Sequence, residues 1–135
     1  MKFSTSVVEK SAKRHVLIVD DESLIRWSMA ETLGHAGYEV SEAGDAKETL
    51  RRLSTTPSPD VILLDYRLPD SDDLRLLETI RQVVPSASVI MMTAYSTAEM
   101  VSNAIKLGVF RVLSKPVEMD DLAPLVEQAY ASRLP

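Results

Sequence analysis

Val61-Ile62-Leu63-Leu64-Asp65 is four apolar residues followed by a carboxylate, with no alternation between apolar and polar positions. A strand with one face in water alternates; an unbroken apolar run suits a central parallel strand covered on both faces. Upstream, Val16-Leu17-Ile18-Val19 leads in the same way into Asp20 and Asp21. If both runs are parallel strands of one sheet, their carboxylates meet at its carboxyl edge, where open α/β sheets place their ligands.

Working outward from these two runs, segments rich in Val, Ile and Leu begin near His15, Tyr38, Val61, Ser88 and Phe110, at intervals of 22 to 27 residues. Each gap holds a stretch with helical apolar spacing, so the chain reads as five βα units. The predicted buried faces are Ile25, Met29 and Leu33; Ala46, Leu50 and Leu53; Leu74, Leu77 and Ile80; Ala98, Val101 and Ile105; and Leu122, Leu125, Val126 and Ala129. Asp45 with Glu48 and Ser96 with Glu99 have capping-box spacing at two helix starts. Gly37 and Gly108 fall where two helices should stop, and Thr55 to Pro59 is turn material. Helices must cover both sides of the sheet. Right-handed crossovers then favour a doubly wound α/β sheet over a barrel, for which five units are too few.

Composition narrows the functions available. A length of 135 residues with 45% apolar content fits one domain with one core. The first 14 residues are polar and aperiodic and are expected to form a flexible extension, with the domain over residues 15–133. A net charge of −5 argues against direct contact with nucleic acid. The absence of cysteine excludes disulfides, thiolate metal sites and a thiol nucleophile. No stretch resembles a signal peptide or a membrane span, so a cytoplasmic protein without membrane contact is expected.

The polar residues at the ends of the apolar runs carry the chemistry. Asp21 alone reads equally well as a helix cap. Three carboxylates at one edge, Asp20, Asp21 and Asp65, repel one another unless a cation lies among them, and a small hard cation such as magnesium, or manganese, takes oxygen ligands. Such an ion also suits a phosphoryl group, with Asp65 as nucleophile. Lys115, fixed in direction by Pro116, would neutralise part of the cluster and face a phosphoryl oxygen. Thr93 ends the fourth run, where its hydroxyl either serves strand propensity or donates to the same group.

Val19-Asp20-Asp21-Glu22, Leu64-Asp65-Tyr66-Arg67-Leu68-Pro69, Met92-Thr93-Ala94-Tyr95 and Ser114-Lys115-Pro116 together resemble the receiver domain of bacterial two-component response regulators. The resemblance spans roughly His15 to Arg133. It implies a flavodoxin-like sheet in the order 2-1-3-4-5 with five helices, and a phosphoacceptor, Asp65, served by a sensor histidine kinase. By the same resemblance Asp20 and Asp21 hold magnesium with the backbone carbonyl of Arg67, Thr93 and Lys115 contact the phosphoryl group, and Pro116 follows a cis peptide. Tyr95 and Arg67 flank the site and would control water access. The surface of the fourth helix, fifth strand and fifth helix would meet a second copy or an output domain. Leu24-Ile25-Arg26-Trp27 and Leu68-Pro69-Asp70 further resemble receivers that head sigma-54-dependent, nitrogen-regulator-like transcription activators.

The chain departs from this pattern in three places. Val112 stands where many receivers carry the Tyr or Phe whose rotation reports phosphorylation, and Val has no ring to swing. Phe110, two residues earlier, is expected on the same side of the strand. Asp73 replaces a common Gly and would need to tolerate a left-handed backbone. Arg111 replaces a common acid, which counts against the charge-paired dimer of those relatives. Two other readings use the same residues. A haloacid-dehalogenase-like phosphohydrolase also uses Asp, Thr or Ser, Lys and magnesium, but places a second Asp where this chain has Arg67. A pseudo-receiver acting only as a binding module is favoured by Val112 alone.

Overall fold

A computed structural model describes residues 13–55 and 57–133. Most of the predicted N-terminal extension, residues 1–12, lies outside the described residues. Lys13 and Arg14 are described, and Arg14 ion-pairs with Glu127 and stacks over the Tyr130 ring.

The strands are β1 (His15–Val19), β2 (Glu39–Ala43), β3 (Val61–Asp65), β4 (Ser88–Thr93) and β5 (Arg111–Ser114). They form one parallel sheet in the order β2-β1-β3-β4-β5. The helices between and after them are α1 (Ser23–His35), α2 (Ala46–Leu53), α3 (Arg75–Val83), α4 (Ala98–Lys106) and α5 (Met119–Ala131). Every residue of β3 and β4 is buried, as the unbroken apolar runs require.

Alternation along the strands divides the core into two layers. Val16, Ile18, Leu63, Ile90 and Met92 face α1 and α5, packing on Met29, Leu33, Leu122 and Val126. Leu17, Val19, Ile62, Leu64 and Met91 face α2, α3 and α4, packing on Leu53, Leu77, Ile80, Met100 and Ala104. The architecture is therefore the doubly wound α/β sheet read from the sequence. Gly37 and Gly108 both have positive φ, 99° and 93°, just past the ends of α1 and α4, where a left-handed residue lets the chain leave the helix. The Tyr38 N–H reaches back to the Leu33 carbonyl and closes the α1 end.

Two predicted helix faces are corrected. On α4 the buried residues are Met100 and Ala104, whereas Ile105 is 58% exposed and Ala98 is exposed with it. Both stripes have helical spacing, and the one that turned inward is the one that meets Leu107 and Val109 under the sheet. On α2, Thr49 is buried in place of Leu50; its hydroxyl donates to the Asp45 carbonyl, so its burial leaves no unpaired donor. We expect Met100→Ala to cost about 2 kcal/mol for the cavity it leaves. Ile105→Ser should stay within about 0.5 kcal/mol. Urea denaturation of the two variants checks the assignment, and equal losses would contradict it.

Capping differs in one place and agrees in another. Asp45 caps α2 by accepting from the Glu48 N–H, as its spacing predicts. At α4 the cap is Thr97, not Ser96: the Thr97 hydroxyl accepts from the Met100 N–H. Asp73 needs no left-handed backbone, because no non-glycine residue among those described has positive φ. Instead its carboxylate accepts from the Arg75 N–H and side chain at the approach to α3. Phe110 and Val112 lie on opposite sides of the sheet, contrary to expectation: Phe110 packs with the α1–α5 layer and Val112 with the α2–α4 layer. Phe110 precedes β5, so the two-residue period of a strand does not extend to it.

Candidate functional site

The register of the sheet brings the polar run ends together. Val19 pairs with Ala43 on one side and with Leu64 on the other, Asp65 pairs with Met92, and Thr93 pairs with Ser114. Asp20, Asp65, Thr93 and Lys115 therefore leave neighbouring strands at one edge, with β1 and β3 flanking the point where the strand order reverses. Asp65, Thr93 and Lys115 line a cleft of about 700 Å³ together with Asp21, Glu22, Arg67 and Tyr95, and Asp20 is buried beneath it.

At its floor Asp20 is fully buried and Asp65 is 5% exposed. Lys115 Nζ sits 3.0 Å from Asp65 Oδ2, 3.1 Å from Asp20 Oδ2 and 3.5 Å from Glu22 Oε1. The other Asp65 oxygen accepts from the Arg67 N–H at 3.2 Å. Lys115 N–H donates to the Thr93 carbonyl at 2.9 Å, and the Lys115–Pro116 peptide is cis. Thr93 is buried; its hydroxyl donates to the Tyr95 carbonyl and accepts from the Tyr95 N–H, both at 3.2 Å. The Tyr95 ring is 82% exposed at the rim.

Burial pushes the Asp65 carboxyl above the usual carboxylate range and the Asp20 charge adds to this, while Lys115 and the Arg67 N–H pull it back. Burial alone would lower the Lys115 ammonium, but the Asp65 and Asp20 carboxylates beside it dominate and hold it charged, far above its ordinary value. A lysine so placed carries charge and does not act as a proton acceptor at neutral pH.

The carboxylates of Asp20, Asp21 and Asp65 each offer an oxygen within 4.8 Å of the others. Asp20 Oδ2 is buried without a hydrogen-bond donor in proper geometry, although the Lys115 ammonium lies at ion-pair distance. An all-oxygen set of this kind, with one acceptor left unsatisfied, fits a hard divalent cation.

Sequence reading did not single out Glu22, Arg26 or Asp70 for the site. Arg26 Nη1 donates to the Asp20 carbonyl at 2.6 Å and its Nε to Glu42 at 3.0 Å, so it fixes the β1 end. The Asp70 carboxylate accepts from the Ala46 and Lys47 N–H groups at 2.8 and 3.1 Å, across 24 and 23 residues of sequence. The Arg26–Glu42 pair and the Asp70 contacts join segments distant in the chain, and no local pattern announces them. Accepting from Ala46, and secondarily from Lys47, holds the Asp70 carboxyl below its ordinary value. A depressed folded value means its stabilisation is present above the ordinary carboxylate range and is lost as pH falls through the folded value. Asp70→Ala should therefore destabilise the chain near neutrality and progressively less in acid, by less than about 1 kcal/mol because solvent screens the exposed carboxylate. Denaturation of both chains as a function of pH checks this; a loss independent of pH would contradict it.

A parallel sheet of this order with an acidic, lysine-bearing carboxyl edge defines a receiver-type α/β domain. The model of the response regulator receiver domain family matches residues 16–127, and the chain belongs to that family. It is 38% identical over 117 residues to the DNA-binding transcriptional regulator NtrC of Proteus hauseri, covering 87% of this chain and 24% of that protein. The chain thus spans about a quarter of the length of this relative. Among solved structures it resembles the CheY-like response regulator receiver domain protein of Methanospirillum hungatei JF-1, with a TM-score of 0.83, 30% identity, and coverage of 89% of this chain and 95% of that one. It also resembles the receiver domain of NtrX from Brucella abortus, with a TM-score of 0.77, 31% identity, and coverage of 87% and 98%. Its relatives thus include nitrogen-regulator-type receivers. No helix among the described residues is long and apolar enough to cross a membrane.

Proposed function

We propose that this receiver accepts a phosphoryl group from a sensor histidine kinase onto Asp65 and passes the change to an output partner, controlling transcription from the cytoplasm. The observation that carries the reading is the Lys115 ammonium bridging two buried carboxylates beside a third. Asp20, Asp21 and Asp65, with the Arg67 carbonyl, would hold magnesium or manganese, whose chemistry is to neutralise phosphoryl oxygens and the acids around them.

An Asp65 carboxylate oxygen attacks phosphorus; the new O–P bond forms as the bond to the donor's leaving group breaks and that group departs with its electron pair. Lys115 lies within reach of an oxygen of the transferred group. Thr93 would exchange its bond to the Tyr95 carbonyl for one to a phosphoryl oxygen. Tyr95 and Arg67 stand at the rim, placed to govern water access to the phosphoryl group.

The strand Arg111–Ser114, with α4 and α5, supplies the output face, for either a second copy or a following domain. Exposed Ala98 and Ile105 give it apolar surface, and exposed Arg111 gives it a positive charge. With Val112 in β5, the coupling cannot use a swinging ring at that position. The test is intact mass after incubation with acetyl phosphate and magnesium, with and without chelator. Gain of one phosphoryl group only when metal is available is the expected result. No gain by a folded, magnesium-binding chain would favour a pseudo-receiver that signals by binding alone.

A further inference from the structure

The loop after β3 makes a tight turn in which Leu68 and Ser71 exchange backbone hydrogen bonds at 2.8 and 3.2 Å, with Pro69 and Asp70 at its tip. From that tip the Asp70 carboxylate reaches the first two N–H groups of α2. A helix start leaves four such groups unpaired; Asp45 takes only the Glu48 N–H, and Asp70 takes the Ala46 and Lys47 groups from a loop 24 and 23 residues away. Because this part of the cap comes from another loop, it also ties the β3 loop to the corner between β2 and α2. The same corner holds the β1 end. The Asp20 N–H donates to the Ala43 carbonyl at 3.1 Å, and Arg26 links the Asp20 carbonyl to Glu42.

We infer that the β2–α2 corner is a clamp setting the separation between the two halves of the metal site, Asp20 with Asp21 on one side and Asp65 with Arg67 on the other, and that Asp70 is the positioning residue that closes it. The inference rests on the metal reading under Proposed function. Three mutually repelling carboxylates tend to drive the two loops apart, while a small hard cation demands oxygens at short, fixed distances. The β1 half is pinned to the corner by Arg26 and Ala43. The β3 half joins it through Asp70, which acts through the stiff Leu68–Ser71 turn and not through contact with the ion.

The test compares magnesium affinity, by titration calorimetry, and thermal unfolding without metal in the native chain, Asp70→Ala, Asp70→Asn and Asp45→Ala. Asp45→Ala removes a cap from the same helix without cutting the link. Asp70→Ala is expected to weaken magnesium binding about tenfold, as loss of an outer support commonly does. Asp70→Asn, which keeps one acceptor oxygen, should lose less. Asp45→Ala should lower the thermal midpoint and leave the affinity as it was. Native affinity in Asp70→Ala, or an equal loss in Asp45→Ala, overturns the clamp. A native chain that takes no magnesium overturns the metal reading and the clamp together, and is recognised from the native titration alone.

Discussion

After incubation with acetyl phosphate and magnesium, the Asp65→Asn chain is expected to show no added phosphoryl group under conditions where the native chain gains one. The substitution keeps the size of the side chain and its acceptor for the Arg67 N–H, so β3 and the cleft should hold their shape. What it removes is the proposed nucleophile, because an amide oxygen does not form a stable bond to phosphorus at neutral pH. It also removes one of the three negative charges that would hold the ion. Both losses act in the same direction, so the expected effect is complete loss and not a slower reaction. Asp20 is the informative competitor: it is equally buried and contacts the same ammonium. A residual phosphoryl gain in Asp65→Asn that disappears in the double variant Asp20→Asn, Asp65→Asn would move the nucleophile to Asp20.

Replacing Lys115 by Met should produce the largest change in stability. Its ammonium lies between two carboxylates that water scarcely reaches, and its own side chain is 16% exposed. Removing one partner of a buried ion pair leaves an uncompensated charge, at a cost of about 3 kcal/mol or more. The sign with pH follows from the Asp65 carboxyl, which burial already holds above its ordinary value. Without Lys115 it rises further. A carboxyl raised in the folded state destabilises the fold once ionised, so the variant should recover stability as pH falls through that raised value. Magnesium should stabilise Lys115→Met more than the native chain, since the cation takes over the neutralising role; at about a hundredfold excess over its dissociation constant, binding contributes about 2.7 kcal/mol. Urea denaturation with chelator and with magnesium, near neutrality and in mild acid, measures all of these. Equal stability of the two chains in chelator near neutrality would mean that water already neutralises the pair.

The two predictions depend on different parts of the structure. Loss of phosphorylation follows from the identity of one residue at a strand end, which is visible in the sequence. The stability change follows from distances between Asp20, Asp65 and Lys115, residues separated by up to 95 positions in the chain. The same division runs through the whole molecule.

The sequence by itself determined the sheet and grouped five polar residues at its carboxyl edge. Buried parallel strands need unbroken apolar runs, and the crossovers between them need helical spacing, so five βα units could be counted directly. Polar residues that end such runs must gather at one edge, which is why Asp20, Asp21, Asp65, Thr93 and Lys115 could be grouped before any contact was known. Only the tertiary structure decided which side of α4 faces inward, because Ala98-Val101-Ile105 and Met100-Ala104 both have helical spacing and only packing on the sheet chooses between them. Only it separated Phe110 from Val112, because strand alternation stops where the strand does. Only it joined Arg26 to Glu42 and Asp70 to α2, since contacts between segments distant in the chain depend on where the folded backbone brings them and leave no periodic trace in the sequence.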